Sequence, residues 1–436
     1  LGIVTNHEGL NLVEGRAGEK MQSSPSLLVI VSDQQRWDTL GCNGNSFAQT
    51  PNLDAMAERG ANFLYPFTPF PVCTPARASM WTGVHPNKHG VIYNRYGIDD
   101  VLSYESKVQT TMFELMQDAG YTTAYFGKWH LGEKNSGRFD VWSGFNSHGG
   151  HWEEGKQSFQ GGKFRPESQT EQMIEFLESD PAKNKPFIAI QSYYPPHNPF
   201  TAPTESYAPY RGKGVPFAGY YAAVTMLDSL VGRLRQALEQ TGLAENTLVF
   251  YVSDHGETFN FEETAPHKWV CQDASIRVPF LMEGPGVPVG ARFESLVGLE
   301  DLMPTIFHAA GIEAPDYLDG DNIFDLFDKK PGREAYYVQT EARKVRTLQR
   351  CVRTLDWKLI LSWDEAHEMY DLQTDPEEQL NIFNVPRWDK QTQYQHFEDQ
   401  SERVVLLAQI MLRRAEELED FAGVEMASRV LRQNSK

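Results

Sequence analysis

Only four cysteines, at positions 42, 73, 271 and 351, occur in this chain of 436 residues. They are too few and too scattered for a disulfide framework or a thiolate metal cluster. Positive charge is also short: 40 Lys and Arg stand against 59 Asp and Glu, a formal net charge of −19. That balance argues against general binding to nucleic acid or insertion into anionic membranes. A few cations and a metal can still reverse the field locally around a small anionic substrate. Apolar runs of membrane-spanning length are missing; the longest near the start is LLVIV at 27–31. Residues 1–22 lack the hydrophobic stretch of a signal peptide, so a soluble cytoplasmic protein is expected. A periplasmic or secreted one is the alternative if a leader has been removed. Internal repeats and low-complexity tracts are absent too.

What is present is one recurring pattern: a short apolar run that stops at a polar group. SLLVIVSDQ (26–34) stops at Asp33, and YTTAYFGKWH (121–130) at Lys128 and His130. KPFIAIQSYYPPHNPF (185–200) stops at His197, and NTLVFYVSDHG (246–256) at Asp254 and His255. These runs predict buried strands, with helical patterns between them at 51–60, 75–82, 111–119, 168–180, 219–241 and 300–310. Strands alternating with helices predict an α/β fold: a mostly parallel central sheet covered by helices on both faces. Ligands of such sheets bind beyond the carboxyl ends of the strands, so the polar stops should meet on one edge. The divisions expected are a poorly structured or appended leader at 1–25, a catalytic α/β domain at 26–333, and a smaller C-terminal subdomain at 334–436. In the last, 335–362 predicts an antiparallel sheet, 370–383 a turn-rich closure, and 396–434 a charged amphipathic helical tail. Residues 139–165, rich in Gly, His and aromatics, predict a long loop, and loops of that length are often functional.

The stretch PVCTPARASMWTG (71–83) reads as a helix start: Thr74 as N-cap, Pro75 in the first turn, Gly83 at the end. Cys73 then sits at the positive end of a helix, where anions bind readily. Arg77, one turn on, can point back to hold a tetrahedral oxyanion or an anionic side chain.

Cys73-Thr-Pro-Ala-Arg77 followed by Thr82-Gly83 resembles the signature of the type I sulfatases, in the alkaline phosphatase-like superfamily. Asp33, GKWHLG (127–132), PPHNPF (195–200), SDHGE (253–257), DLMPTIF (301–307), LDGDNIFDLF (318–327) and YDLQTDPEEQLNIF (370–383) follow in that family's order. The resemblance implies hydrolysis of a sulfate monoester, carbohydrate or aryl. It implies that Cys73 is oxidised by a separate maturation enzyme to formylglycine, whose hydrate attacks sulfur and later sheds sulfate by carbon–oxygen cleavage. It also implies a divalent cation held by Asp33, Gln34, residue 73, Asp254 and His255, with Ca²⁺ the first choice and Mn²⁺ or Mg²⁺ the alternatives. Gln34 and His255 stand where many members have Asp and Asn, giving the site less negative charge and one nitrogen ligand.

By the same resemblance Arg77, Lys128, His130, His197 and Lys268 join Cys73 as catalytic residues. Lys128 and Lys268 would contact sulfate, His130 would orient or deprotonate the nucleophile, and His197 would protonate the leaving oxygen, sharing that role with Lys268. Trp142, His148, His151 and Trp152, with Arg343 and Arg346, are candidates to contact a sulfated sugar. His89 reads as a turn residue. Two rival readings stand beside this one: a phosphonate monoester or phosphodiester hydrolase of the same superfamily, and a catalytically silent binder of anionic glycans.

Overall fold

Position-by-position burial of SLLVIVSD explains why it lies at the centre of the molecule. All eight residues of this strand, β1 (Ser26–Asp33), are buried. Leu27, Val29 and Val31 enter the core on one face, while Leu28 and Ile30 enter the core on the other, as the two-residue period of a strand requires. Seven further strands complete the sheet: β2 (Ala61–Phe67), β3 (Thr122–Lys128), β4 (Val141–Phe145), β5 (Phe187–Pro196), β6 (Thr247–Ser253), β7 (Phe280–Glu283) and β8 (Ala291–Gly298). In this computed structural model, which describes residues 24–147, 150–157, 160–260, 267–342, 347–364, 366–383 and 400–434, the order is β4-β3-β5-β1-β6-β7-β2-β8. All pairings are parallel except those of β7, which runs against β6 and β2. The mostly parallel sheet expected from the alternation of strands and helices is therefore the one observed.

Helices cover both faces. Helix α1 (Pro51–Arg59) and the helices Arg165–Glu178 and Ala218–Gln240 supply Leu53, Met173, Leu227 and Leu234 to one core. Helix α2 (Cys73–Thr82) and the helix Leu302–Ala310 supply Met80, Trp81, Ile306 and Phe307 to the other. Every residue of α2 is buried; truncating Trp81 to Ala should cost about 3–5 kcal/mol. The N-cap of α2 is Val72 and makes no side-chain cap, which corrects the reading of Thr74 as the cap. The Thr74 hydroxyl instead donates to the His130 carbonyl at 3.0 Å. Gly83 ends the helix at φ 68°, as expected.

A second, antiparallel sheet, β12-β11-β10-β9, forms from β9 (Tyr336–Ala342), β10 (Thr347–Arg353), β11 (Trp357–Ser362) and β12 (Glu368–Asp371). The expected single helical tail is two helices, Gln400–Glu417 and Phe421–Asn434. The break at Asp420 lets its carboxylate pair with Arg350, accept from Tyr337 and receive the Gly423 amide. Lys358 ties the second sheet to the segment that precedes β7: its buried ammonium pairs with Asp273 and Glu378 and donates to the Cys271 carbonyl at 3.0 Å. Most of the leader expected at 1–25 lies outside the described residues.

Candidate active site

The carboxyl ends of β1, β3, β5 and β6 and the start of α2 converge on Cys73, whose thiol is buried. Asp33 ends β1 and Asp254 follows β6, and Arg77 binds both. Its Nε donates to Asp254 Oδ2 and its Nη2 to Asp33 Oδ2, each at 3.0 Å. Its Nη1 donates to the Lys128 carbonyl at 2.7 Å and Ser192 Oγ at 2.8 Å. The two partners left open by the sequence thus resolve in favour of anionic side chains: a fully buried guanidinium holds two carboxylates together.

Lys128, the last residue of β3, sets its ammonium 2.6 Å from Asp33 Oδ2 and 3.6 Å from Cys73 Sγ, over the ring of Tyr194. The glycine before it is required: at φ 106°, a Cβ on Gly127 would lie 1.9 Å from the Ser192 carbonyl oxygen. Two residues at the strand ends adopt positive φ without being glycine, Gln34 at 65° and His130 at 57°. Such backbone strain gathers where the surrounding structure fixes a side chain for use.

Lys268 closes the group. Its ammonium lies 2.8 Å from Gln34 Oε1, 3.2 Å from His197 Nε2 and 3.6 Å from Cys73 Sγ. His197 Nδ1 lies 2.7 Å from the Asn198 carbonyl and so carries the proton, leaving Nε2 as an acceptor toward Lys268. His255 is fixed in the same way: Nδ1 lies 2.9 Å from the Gly256 carbonyl, and the free Nε2 lies 3.2 Å from Cys73 Sγ. His130 is buried with neither ring nitrogen hydrogen-bonded, its ring 5.4 Å from that of the exposed Tyr96.

These placements separate the charges. Burial resists ionisation of Asp33, but the cationic Lys128 and Arg77 outweigh it and hold the carboxyl well below its usual range. Burial and then the charge of Asp33 push Asp254 up to about 6. Burial lowers His255 to about 4. Burial and the nearby Lys128 hold His130 well below the ordinary imidazole range; burial, Lys268 and Lys128 do the same to His197. The imidazoles therefore stand neutral, with lone pairs free to bind a proton or a metal.

Ligand atoms of Asp33, Cys73, Asp254 and His255 all lie within 4.8 Å of one another and are buried. Two carboxylates with one imidazole whose tautomer is locked by a carbonyl make a donor set that fits a divalent cation. The Gln34 backbone amide donates to Asp254 Oδ1 at 3.0 Å, and its side-chain oxygen lies 2.8 Å from the Lys268 ammonium.

The peripheral candidates fare differently. Trp142 lies on β4, not in a loop; it packs against Tyr125, Trp129 and Phe139. Trp152 is buried against Phe164, with Nε1 donating to Thr201 Oγ1 at 3.1 Å. Trp152 is therefore buried and Trp142 half-buried against the core, because part of the segment read as a surface loop forms the edge strand β4. His151 is buried with its ring 5.1 Å from Tyr194, the ring that underlies Lys128. His148, Arg343 and Arg346 lie outside the described residues. His89 ends the short helix Pro86–His89, bound to Ser79 Oγ at 3.0 Å and receiving the Val91 amide at 3.0 Å, away from the cluster. The sequence reading missed Ser192, Tyr194, Glu257 and His267. Glu257 lies within the quoted SDHGE and His267 directly precedes Lys268; Ser192 and Tyr194 carry no signal beyond their place in a buried strand.

Comparison with known proteins assigns the family. The family model described as Sulfatase matches residues 25–312, and one described as N-sulphoglucosamine sulphohydrolase, C-terminal, matches 265–404. An ulvan-active sulfatase of Formosa agariphila is 29% identical over 409 residues, spanning 84% of this chain and 78% of that protein. A structure solved in complex with its substrate, D-glucosamine-2-N,6-O-disulfate, superposes with a TM-score of 0.74 at 22% identity, covering 92% of this chain and 99% of the other. The phosphonate monoester hydrolase of Agrobacterium radiobacter shares the fold with a TM-score of 0.68 at 20% identity, over 82% of this chain and 91% of that one.

Proposed function

The chain belongs to the sulfatase family, as a hydrolase of sulfuric esters, and from that premise we propose that it cleaves a carbohydrate sulfate monoester at residue 73, matured from cysteine to formylglycine. The observation that carries this reading is the ring of Asp33, Arg77, Lys128, Asp254, His255 and Lys268 around one buried side chain at a helix start. A carbohydrate leaving group is favoured by the ulvan-active relative and by the disulfated glucosamine in the structural neighbour.

Formylglycine supplies a nucleophile that departs again by carbon–oxygen cleavage, so that no water need attack sulfur. Asp33, Gln34, Asp254 and His255 would hold a divalent cation beside it, Ca²⁺ first and Mn²⁺ or Mg²⁺ second, whose chemistry when bound is that of a Lewis acid. The chain's own groups do the rest. Arg77 fixes the two carboxylates at one spacing. Lys128 and Lys268 face the sulfate position from two sides and stabilise negative charge as it grows on the sulfate oxygens. The Lys268 ammonium, backed by His197 Nε2, gives the proton to the leaving alcohol oxygen. Neutral His130 takes the proton released when sulfate is shed.

The rival reading, a phosphonate monoester hydrolase, is favoured by the paired Asp33-Gln34 and Asp254-His255. Lys128 and His130 weigh against it. Steady-state kinetics on a sulfate monoester and a phosphonate monoester decide: higher kcat/KM on the sulfate is expected, and much higher efficiency on the phosphonate would overturn the choice. Intact-mass measurement on active enzyme should find residue 73 lighter than a thiol; an unmodified Cys73 in active enzyme would refute the formylglycine route.

A further inference from the structure

Glu257 is a buried carboxylate one turn of chain past the metal-type ligands, and none of the roles above uses it. Its Oε1 accepts the Phe259 amide at 2.7 Å. Its Oε2 accepts from Gln34 Nε2 and lies 3.1 Å from His267 Nδ1. Gln34 therefore sits between Glu257 on one side and the Lys268 ammonium, 2.8 Å away, on the other. A carboxylate can only accept hydrogen bonds and an ammonium can only donate them. Between these two groups a primary amide has one orientation that satisfies both, NH₂ toward Glu257 and oxygen toward Lys268; His267 Nδ1, 3.1 Å from the same Nε2, accepts its second hydrogen in the tautomer protonated at Nε2. The reversed amide would face oxygen to oxygen and NH₂ to NH₃⁺, leaving buried groups unpaired on both sides.

We propose that Glu257 is a positioning residue: it fixes the amide of Gln34 so that the amide oxygen holds the Lys268 ammonium against Cys73 and His197. The same orientation directs the amide oxygen, rather than its nitrogen, toward the pocket, the only sense in which Gln34 could also serve a hard cation. The inference rests on the reading of Lys268 as donor to the leaving oxygen.

Two measurements test it. Neutron diffraction from deuterated wild-type crystals distinguishes the amide oxygen from ND₂; ND₂ on Glu257 is expected, and oxygen on Glu257 would overturn the proposal without any variant. The second uses Glu257→Gln, which keeps the shape but offers a donor as well as an acceptor, so that Gln34 is free to reverse. If Glu257 acts through Lys268, kcat/KM should fall about tenfold further on a sulfate ester of an unactivated alcohol than on 4-nitrophenyl sulfate, because the poor leaving group needs the proton more. Both esters are assayed at saturating Ca²⁺, which offsets any weakening of the Gln34 contact to the cation. Equal losses on both esters would refute the role. If the variant fails to fold, the neutron result decides. Failure of the wild type to hydrolyse any sulfate ester would overturn the proposed function, while the amide orientation would still be read from the crystals.

Discussion

Arg77→Met removes the cation that touches both carboxylates while keeping most of the volume of the side-chain stem. In the native cluster the guanidinium gives four hydrogen bonds, two of them to Asp33 and Asp254 at 3.0 Å. Gross attraction at such range is about 4 kcal/mol per carboxylate at an effective dielectric near 20. Much of it offsets the cost of burying the charges, but removing one partner alone leaves the others stranded, at about 3–5 kcal/mol. An unfolding entropy of about 2 cal/mol/K per residue over 436 residues gives roughly 0.9 kcal/mol/K, so the midpoint should fall by about 3–6 °C. The deficit should depend on pH with a definite sign. Asp254 is already raised to about 6, and without Arg77 it rises further. The variant's penalty is therefore full only above its own, still higher Asp254 value and is relieved as pH falls from there to about 6, where the wild-type carboxyl protonates as well, so the deficit is smaller at pH 5 than at pH 8. A divalent cation neutralises the same carboxylates, so a chelator should destabilise the variant more than the wild type. Differential scanning calorimetry at pH 5 and pH 8, with and without chelator, measures all of this. A midpoint within about 1 °C of wild type at pH 8 in chelator would refute the account of Arg77 as the group that holds two carboxylates together.

Three other outcomes are expected. Trp142→Ala should lower the unfolding midpoint through about 2–4 kcal/mol of lost packing against Tyr125, Trp129 and Phe139, with the same KM ratio between extended and small sulfate esters as wild type; a selective rise for the extended ester would return Trp142 to the substrate site. Lys358→Met strands Asp273 and Glu378 where the second sheet meets the segment before β7 and should cost about 3–5 kcal/mol in urea unfolding; a variant as stable as wild type would mean that this contact does not depend on the charge. The Asp420 carboxyl is opposed by burial, yet Arg350 and Tyr337 lower it from 3.8 to about 2, so its stabilisation is complete above about pH 4 and lost as pH falls through 2. Asp420→Asn should therefore remove about 2–3 kcal/mol near neutrality and progressively less toward pH 2; a deficit independent of pH would contradict the ion pair.

The peripheral substrate contacts were the least legible part. Trp142 and Trp152 look in the sequence like aromatics on a glycine-rich loop; only the pairing of β4 with β3 sets Trp142 against the core, and only a bridge to Phe164 does so for Trp152. The single tail at 396–434 likewise reads as continuous until Asp420 meets Arg350, a partner 70 positions away. Local pattern fixes a residue's period and propensity, but not which distant surface it will face.

Sequence alone determined four of the eight central strands, β1, β3, β5 and β6, and the set of chemical groups at their ends. A buried strand needs an unbroken apolar run, so a polar residue that ends one is conspicuous, and parallel order brings such ends to one edge. Tertiary structure alone decided how those groups are divided. It gave Arg77 to two carboxylates rather than to an oxyanion, set Lys268 between Gln34 and His197, and locked two imidazole tautomers through neighbouring carbonyls. Hydrogen-bond direction and charge balance are properties of atoms a few ångströms apart in space, and Asp33 meets Asp254 only because β1 pairs with β6.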